Sequence, residues 1–168
     1  MPLLAIDAGN TFAKLAYHDG QAWRHPQRIL LADFCRDPRR YLQHAARQII
    51  VANVAGSLVQ TALESIYPPQ AIHWVKASTH ACGVSNPYKQ PELLGADRWC
   101  MLVAARAMTS TDCVVAALGT ALTVDMLASD GRFLGGVIAP GMQLMRKALA
   151  QGTDAVAPPP GQVARFPS

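Results

Sequence analysis

Apolar and polar positions along this chain alternate with two periods, and the switches between them mark out short elements. Residues 3–7 (LLAID) and 11–18 (TFAKLAYH) read as two paired strands around a turn at Ala8-Gly9-Asn10. Residues 38–47 suit a helix, and 48–54 (QIIVANV) a buried strand. Ser57 reads as the cap of a helix running to about residue 67, stopped by Pro68 and Pro69. A short strand follows at 72–75, then a loop over 77–90 carrying Gly83, Asn86 and Pro87. Pro91 opens a strong helical segment, PELLGADRWCMLVAARAM, with Leu94, Trp99, Leu102, Val103 and Met108 as its apolar stripe. Strands are expected at 113–118, 120–127 and 133–138, a turn at 129–132, and a helix at 141–150. From residue 157 the sequence APPPGQVARFPS reads as loop or linker.

Strands alternating with helices point to an α/β class, and 168 residues suffice for one packed core, or for one lobe and part of another. The longest apolar runs, 3–6 and 113–118, are too short to span a bilayer, so a soluble cytoplasmic protein without a membrane partner is expected. Cys35, Cys82, Cys100 and Cys113 lack the close spacing of a zinc knuckle or redox dithiol, and the five histidines show no i, i+4 pair. The formal charge of +4 arises largely from six arginines between Arg24 and Arg47. A solvated surface helix around residues 37–40 explains that cluster better than nucleic-acid binding, because no reader module accompanies it. Mild positive steering would favour an anionic small substrate.

Candidate chemistry sits at two echoing turns and one helix start. The stretch Ile6-Asp7-Ala8-Gly9-Asn10-Thr11 runs from a strand into a Gly turn with Thr just beyond it. Ala117-Leu118-Gly119-Thr120-Ala121-Leu122-Thr123 repeats that arrangement, which suggests a duplicated nucleotide-binding lobe. Taken singly, each is a hairpin tip before it is a site. Taken as a pair, such tips aim backbone N–H groups and a hydroxyl at one anion, and Gly9 and Gly119 would let phosphate approach the backbone. Asp7 would hold Mg²⁺, directly or through water, and Lys14 would offer a point charge. In GADR, Asp97 would accept a proton from a substrate hydroxyl attacking the γ-phosphate, and Arg98 would clamp a carboxylate. The bland alternative is an Asp complementing a helix N-terminus beside a solvated Arg.

The ordered set DAGNTFAK, then YKQPELLGADR, then GTALTVD, then GGVIAPGM resembles the type III pantothenate kinases, in particular the branch that includes the Bvg accessory factor proteins. The resemblance implies an actin-like, ribonuclease-H-like two-lobed fold, with residues 1–111 as the first lobe and 112–168 as the start of a truncated second lobe. It implies ATP-dependent phosphorylation of pantothenate, the first step of coenzyme A synthesis, by a homodimer using Mg²⁺ and a monovalent cation (K⁺ or NH₄⁺). By position, Asp7, Ala8, Gly9, Asn10, Thr11, Phe12, Ala13 and Lys14 would form the first phosphate loop, and Thr120 would contact ATP from the second. Tyr88, Gly95, Ala96, Asp97 and Arg98 would contact pantothenate, with Asp97 as proton acceptor. Asp125 and Gly135-Gly136 would support the site from the second lobe.

Two features depart from the family pattern. Ala117 occupies the position where the family usually carries a cation-binding Asp, which predicts independence from K⁺. The chain also stops before the family's later substrate and adenosine segments, leaving a sheet edge and an apolar face to be covered. The competing readings are a non-catalytic actin-like binding module and a DNA-associated accessory factor, the latter resting only on the Arg24–Arg47 cluster.

Overall fold

A computed structural model describes residues 2–152, which form two sheets sharing one central helix; the proline-rich stretch from residue 157 lies outside the described residues. The first sheet joins β1 (Leu3–Ala8), β2 (Phe12–His18), β3 (Trp23–Leu30), β4 (Gln48–Asn53) and β5 (Ile72–Trp74) in the order β3-β2-β1-β4-β5. Its first three strands meander antiparallel, while β4 and β5 run parallel to β1. A two-strand ribbon of β6 (His80–Ala81) and β7 (Val84–Ser85) precedes the second sheet. That sheet is antiparallel, with β8 (Cys113–Leu118), β9 (Ala121–Leu127) and β10 (Phe133–Pro140) in the order β10-β9-β8. The α-helices are α1 (Leu31–Arg36), α2 (Ser57–Glu64), α3 (Ala96–Met108) and α4 (Met142–Gly152). Among the described residues, no helix is long and apolar enough to cross a membrane.

The period-2 pattern sorts the first sheet into two faces. Leu4, Ile6 and Ala8 of β1 lie beside Ile49 and Val51 of β4 and Ala13, Leu15 and Tyr17 of β2, all buried. Phe34 of α1 and Val59 and Leu63 of α2 close that core. Each full burial of a large apolar side chain contributes about 1.5–3 kcal/mol. A second core joins Leu94, Trp99 and Leu102 to Val84, Leu127 and Phe133, so α3 packs onto the second sheet as well as onto β4. The outer face of the second sheet is open among the described residues, with Val114, Leu118, Met126 and Val137 all exposed.

The residue pattern misjudged several elements. The expected helix over 38–47 is absent: residues 38–40 make a single 3₁₀ turn, and Tyr41, Leu42 and Ala46 pack on the first core without helical structure. The helix in this region is α1, upstream of it. The arginine-rich segment also contains β3, an edge strand whose register shifts near Pro26, where a missing N–H is tolerated. Ser57 is the first helical residue rather than a cap: Gly56 stands at the N-cap without a side-chain hydrogen bond, and the helix ends at Glu64. Pro91 opens only a 3₁₀ turn, and α3 starts after Gly95.

Candidate active site

The two Gly-Thr turns meet. Thr11 Oγ1 and Thr120 Oγ1 share a hydrogen bond of 2.7 Å across 109 positions of sequence. In the β1–β2 turn the Gly9 N–H donates to Phe12 O at 3.0 Å, and in the β8–β9 turn the Gly119 N–H donates to Ala121 O at 3.0 Å. Neither glycine is demanded by the fold. A Cβ at Gly9 would lie 3.5 Å from Phe12 O and one at Gly119 would lie 3.7 Å from Ala121 O, ordinary contacts, and neither residue has a left-handed φ. The space these glycines leave is therefore free for a ligand. Gly141 differs, since its Cβ would overlap the carbonyl of Gly119 and lie 2.7 Å from that of Thr120. It lets the chain leaving β10 close against the second turn, fixed by Gly141 N–H to Thr120 O at 2.9 Å.

Asp7 and Lys14 are cross-strand partners, and Lys14 Nζ lies 3.0 Å from Asp7 Oδ2. Both side chains are substantially exposed, so the pair is worth at most about 1 kcal/mol and yields readily to a stronger ligand. Asp7 Oδ1 carries no hydrogen bond to Lys14, leaving an oxygen suited to Mg²⁺ or one of its waters. Asp7 belongs to the face of the first sheet away from its core, alongside the small residues Ala5 and Ala52; α3 packs on β4, and Gly95, just before the helix, lies close to Val54, just after the strand. Cys100 of α3 registers this approach. Its thiol is pushed up by burial and, secondarily, by the negative charges of Asp7 and Asp97. Both carboxylates thus act on the same thiol.

Asp97 sits in the first turn of α3, and its Oδ1 accepts the Arg98 N–H at 2.8 Å. A Cβ at Gly95 would lie 2.6 Å from that oxygen, so the glycine of GADR makes room for the carboxylate. Arg98 turns away from it. Its Nε donates to Asp125 Oδ2 at 3.0 Å and its Nη2 to Asp125 Oδ1, a bidentate pair with a carboxylate that is fully buried on β9. The Asp125 hydrogen bonds raise the Arg98 pKa further, against the opposing effect of burial. The Tyr88 ring packs on Phe133, with centroids 5.7 Å apart, and the Arg98 guanidinium lies 6.0 Å from the same Phe133 ring.

The remaining expected site residues are placed less directly. Ala8 and Ala13 are buried in the first core, Ala96 is buried at the start of α3, and only their backbones are available to a ligand. Asn10 is exposed at the turn, and Phe12 lies under the Arg28 guanidinium at 3.6 Å. Ala117 pairs in register with Thr123, whose buried Oγ1 has no hydrogen-bond partner. A hydroxyl facing a methyl group is no cation cage, so position 117 does not fit a monovalent ion. A cleft of about 380 Å³ opens at the ends of β4 and β5, lined by Asn53, Trp74, Lys76 and Glu92 together with Gly95 and Ala96.

Asn86, read from the sequence only as a loop residue, proves to hold the Tyr88 loop. It is buried, accepts the Tyr88 N–H at 3.1 Å and donates to Pro91 O at 3.2 Å. The Asn86-Pro87 dipeptide, a turn initiator, was the available signal.

Comparison with known proteins follows the same lines. A family model described as type III pantothenate kinase matches residues 3–163. A type III pantothenate kinase of Dechloromonas aromatica (strain RCB) is 39% identical over 170 residues, covering 98% of this chain and 71% of that protein. Its counterpart in Nitrosomonas eutropha (strain DSM 101675 / C91 / Nm57) is 38% identical over 166 residues, covering 94% of this chain and 63% of that protein. The chain thus spans roughly two thirds of the length of these relatives. Among solved structures, one described as a Baf family transcriptional activator from Campylobacter jejuni superposes with a TM-score of 0.59 at 20% identity, covering 98% of this chain and 68% of that one. That likeness concerns the fold, which with the β3-β2-β1-β4-β5 sheet is the actin-like α/β architecture.

Proposed function

This chain belongs to the type III pantothenate kinase family, and from that premise we propose that the whole protein transfers the γ-phosphoryl group of ATP to the terminal hydroxyl of pantothenate, opening coenzyme A synthesis. The observation that carries the reading is the meeting of the two turns at Thr11 and Thr120, each with a glycine that the fold does not require. Phosphoryl transfer needs little covalent help from a protein and much positioning and charge neutralisation. Residues 7–14 and Thr120 would cradle the phosphates, with Lys14 released from Asp7 as the nucleotide enters. Asp7 would hold Mg²⁺ that arrives with ATP, which supplies charge neutralisation at the phosphates. Asp97 would take the proton of the attacking hydroxyl, while Tyr88 and the backbone of Gly95 and Ala96 would border pantothenate. The lobes would divide near residue 111, and a cytoplasmic homodimer is the expected assembly. Ala117 supports turnover without a monovalent cation. No observation favours a non-catalytic binding module or a DNA-associated role.

The test is ATP-dependent phosphate transfer to pantothenate by the full-length protein, in sodium and in potassium buffers. Turnover in both, lost by at least about 100-fold in Asp97→Asn with nucleotide binding retained, is the expected result. Absence of turnover in either buffer by the intact enzyme overturns the reading.

A further inference from the structure

We propose that Arg98 is a positioning residue, a strut that ties the helix bearing Asp97 to the strand leading from the second phosphate turn, and not the clamp for the substrate carboxylate. The proposal rests on the kinase reading for its activity arm only.

Three separate segments converge on this strut. Arg98 follows Asp97 directly in α3, and its side chain is 13% exposed. Its Nε–Nη2 edge, the edge that grips a carboxylate with two parallel bonds, is already filled by Asp125. Asp125 is fully buried and sits on β9 five positions beyond Thr120. The third segment is β10. Gly136 stands opposite Asp125 in register, and a Cβ there would overlap Asp125 Oδ1 and lie 2.8 Å from Arg98 Nη2. The same Cβ would lie 2.6 Å from the backbone O of Val124, so glycine at 136 serves both the close β9–β10 approach and the ion pair beneath it, while Gly135, at φ +114°, lies at the register shift.

The chemistry favours a permanent link over an exchangeable one. A buried carboxylate left without its partner is strongly disfavoured, so Arg98 cannot swing to an incoming substrate without stranding Asp125. What the pair does instead is geometric. It fixes the first turn of α3, with Asp97, against the strand continuing from Thr120, so the proton acceptor and the phosphate turn keep one separation. Rate is sensitive to such placement, and an ångström of error costs about 100-fold. The carboxylate of pantothenate must then find its counter-charge elsewhere.

The strut and the clamp predict opposite kinetics for Arg98→Lys in the full-length enzyme. Lysine keeps the charge and loses the fork. For a strut, kcat falls about 100-fold, the pantothenate KM stays within about threefold, and the preference for pantothenate over its neutral carboxamide analogue is unchanged. Gly136→Ala, which disturbs the pair from β10 and leaves both charges in place, reproduces the kcat loss. A KM raised tenfold or more with kcat retained, or loss of the preference for the carboxylate in Arg98→Lys, overturns the proposal. A melting series on the 168-residue chain decides independently of catalysis. Asp125→Asn, Gly136→Ala and Arg98→Lys should each lower Tm, with Asp125→Asn/Arg98→Lys melting well above the sum of the single losses. Strict additivity, or a Gly136→Ala chain that melts like the parent, refutes the strut even where the enzyme shows no turnover.

Discussion

Adding a methyl group to either turn glycine should stabilise the protein and damage its nucleotide site. Gly9→Ala and Gly119→Ala place a Cβ in ordinary contact, 3.5 Å and 3.7 Å from the nearest carbonyl oxygens, at backbone angles an alanine adopts. Replacing glycine at a compatible position narrows the unfolded ensemble and stabilises by about 0.4–1 kcal/mol. For a chain of this size that corresponds to a Tm rise of about 1–4 °C. The same methyl occupies the space through which a phosphate oxygen would reach the backbone N–H. Losing one hydrogen bond to a charged group costs about 1.5–3 kcal/mol, or about 10- to 150-fold in affinity. Thermal melts of the chain, followed by calorimetric titration of the full-length protein with Mg·ATP, read the two effects separately. Gly136→Ala serves as the contrasting case, since its Cβ has no room. If Gly119→Ala melts several degrees lower and binds Mg·ATP as the parent does, glycine is there for the turn alone, and the phosphate-loop reasoning fails.

Two pH-dependent outcomes follow from half-buried groups. The Cys100 thiol is held protonated above its ordinary range by burial and then by Asp7 and Asp97, so its alkylation in a background lacking Cys35, Cys82 and Cys113 should set in at higher pH than that of a free thiol. Asp97→Asn removes a negative neighbour and should shift that onset downward; an unshifted onset would mean that the carboxylate does not face Cys100. Tyr67 is raised to about 12 by burial and then by Tyr17. Its unfolded form loses its proton near pH 10 while the folded form keeps it, so the folded state binds more protons and stability falls as pH rises from about 10 to 12. Ultraviolet titration of Tyr67→Phe should lack the highest tyrosinate step, and its persistence would assign that step to another tyrosine.

What could be read along the chain was local. The β1–β2 hairpin, the buried β4, the Trp99–Leu102 part of the α3 stripe and the three strands of the second sheet follow from period and turn chemistry within a few residues, but Met108, expected in that stripe, is exposed, and Leu94 packs on the core from before the helix. The four ordered motifs carried the family, because a motif is a contiguous string. The 24–47 segment was less legible for a physical reason. Arg24, Pro26 and Arg28 mask β3, which as an edge strand needs only one paired side and tolerates proline and charge. Tyr41, Leu42 and Ala46 reach the core through a loop with no repeating period to betray them. The site was legible in its parts and not in its assembly. That Thr11 would meet Thr120, that Gly95 would leave room for Asp97, and that the Arg98 fork would be filled by Asp125 under Gly136 are contacts between segments distant in the chain or side-chain directions at close quarters. No periodicity encodes them, and only the packing of α3 between two sheets decided them.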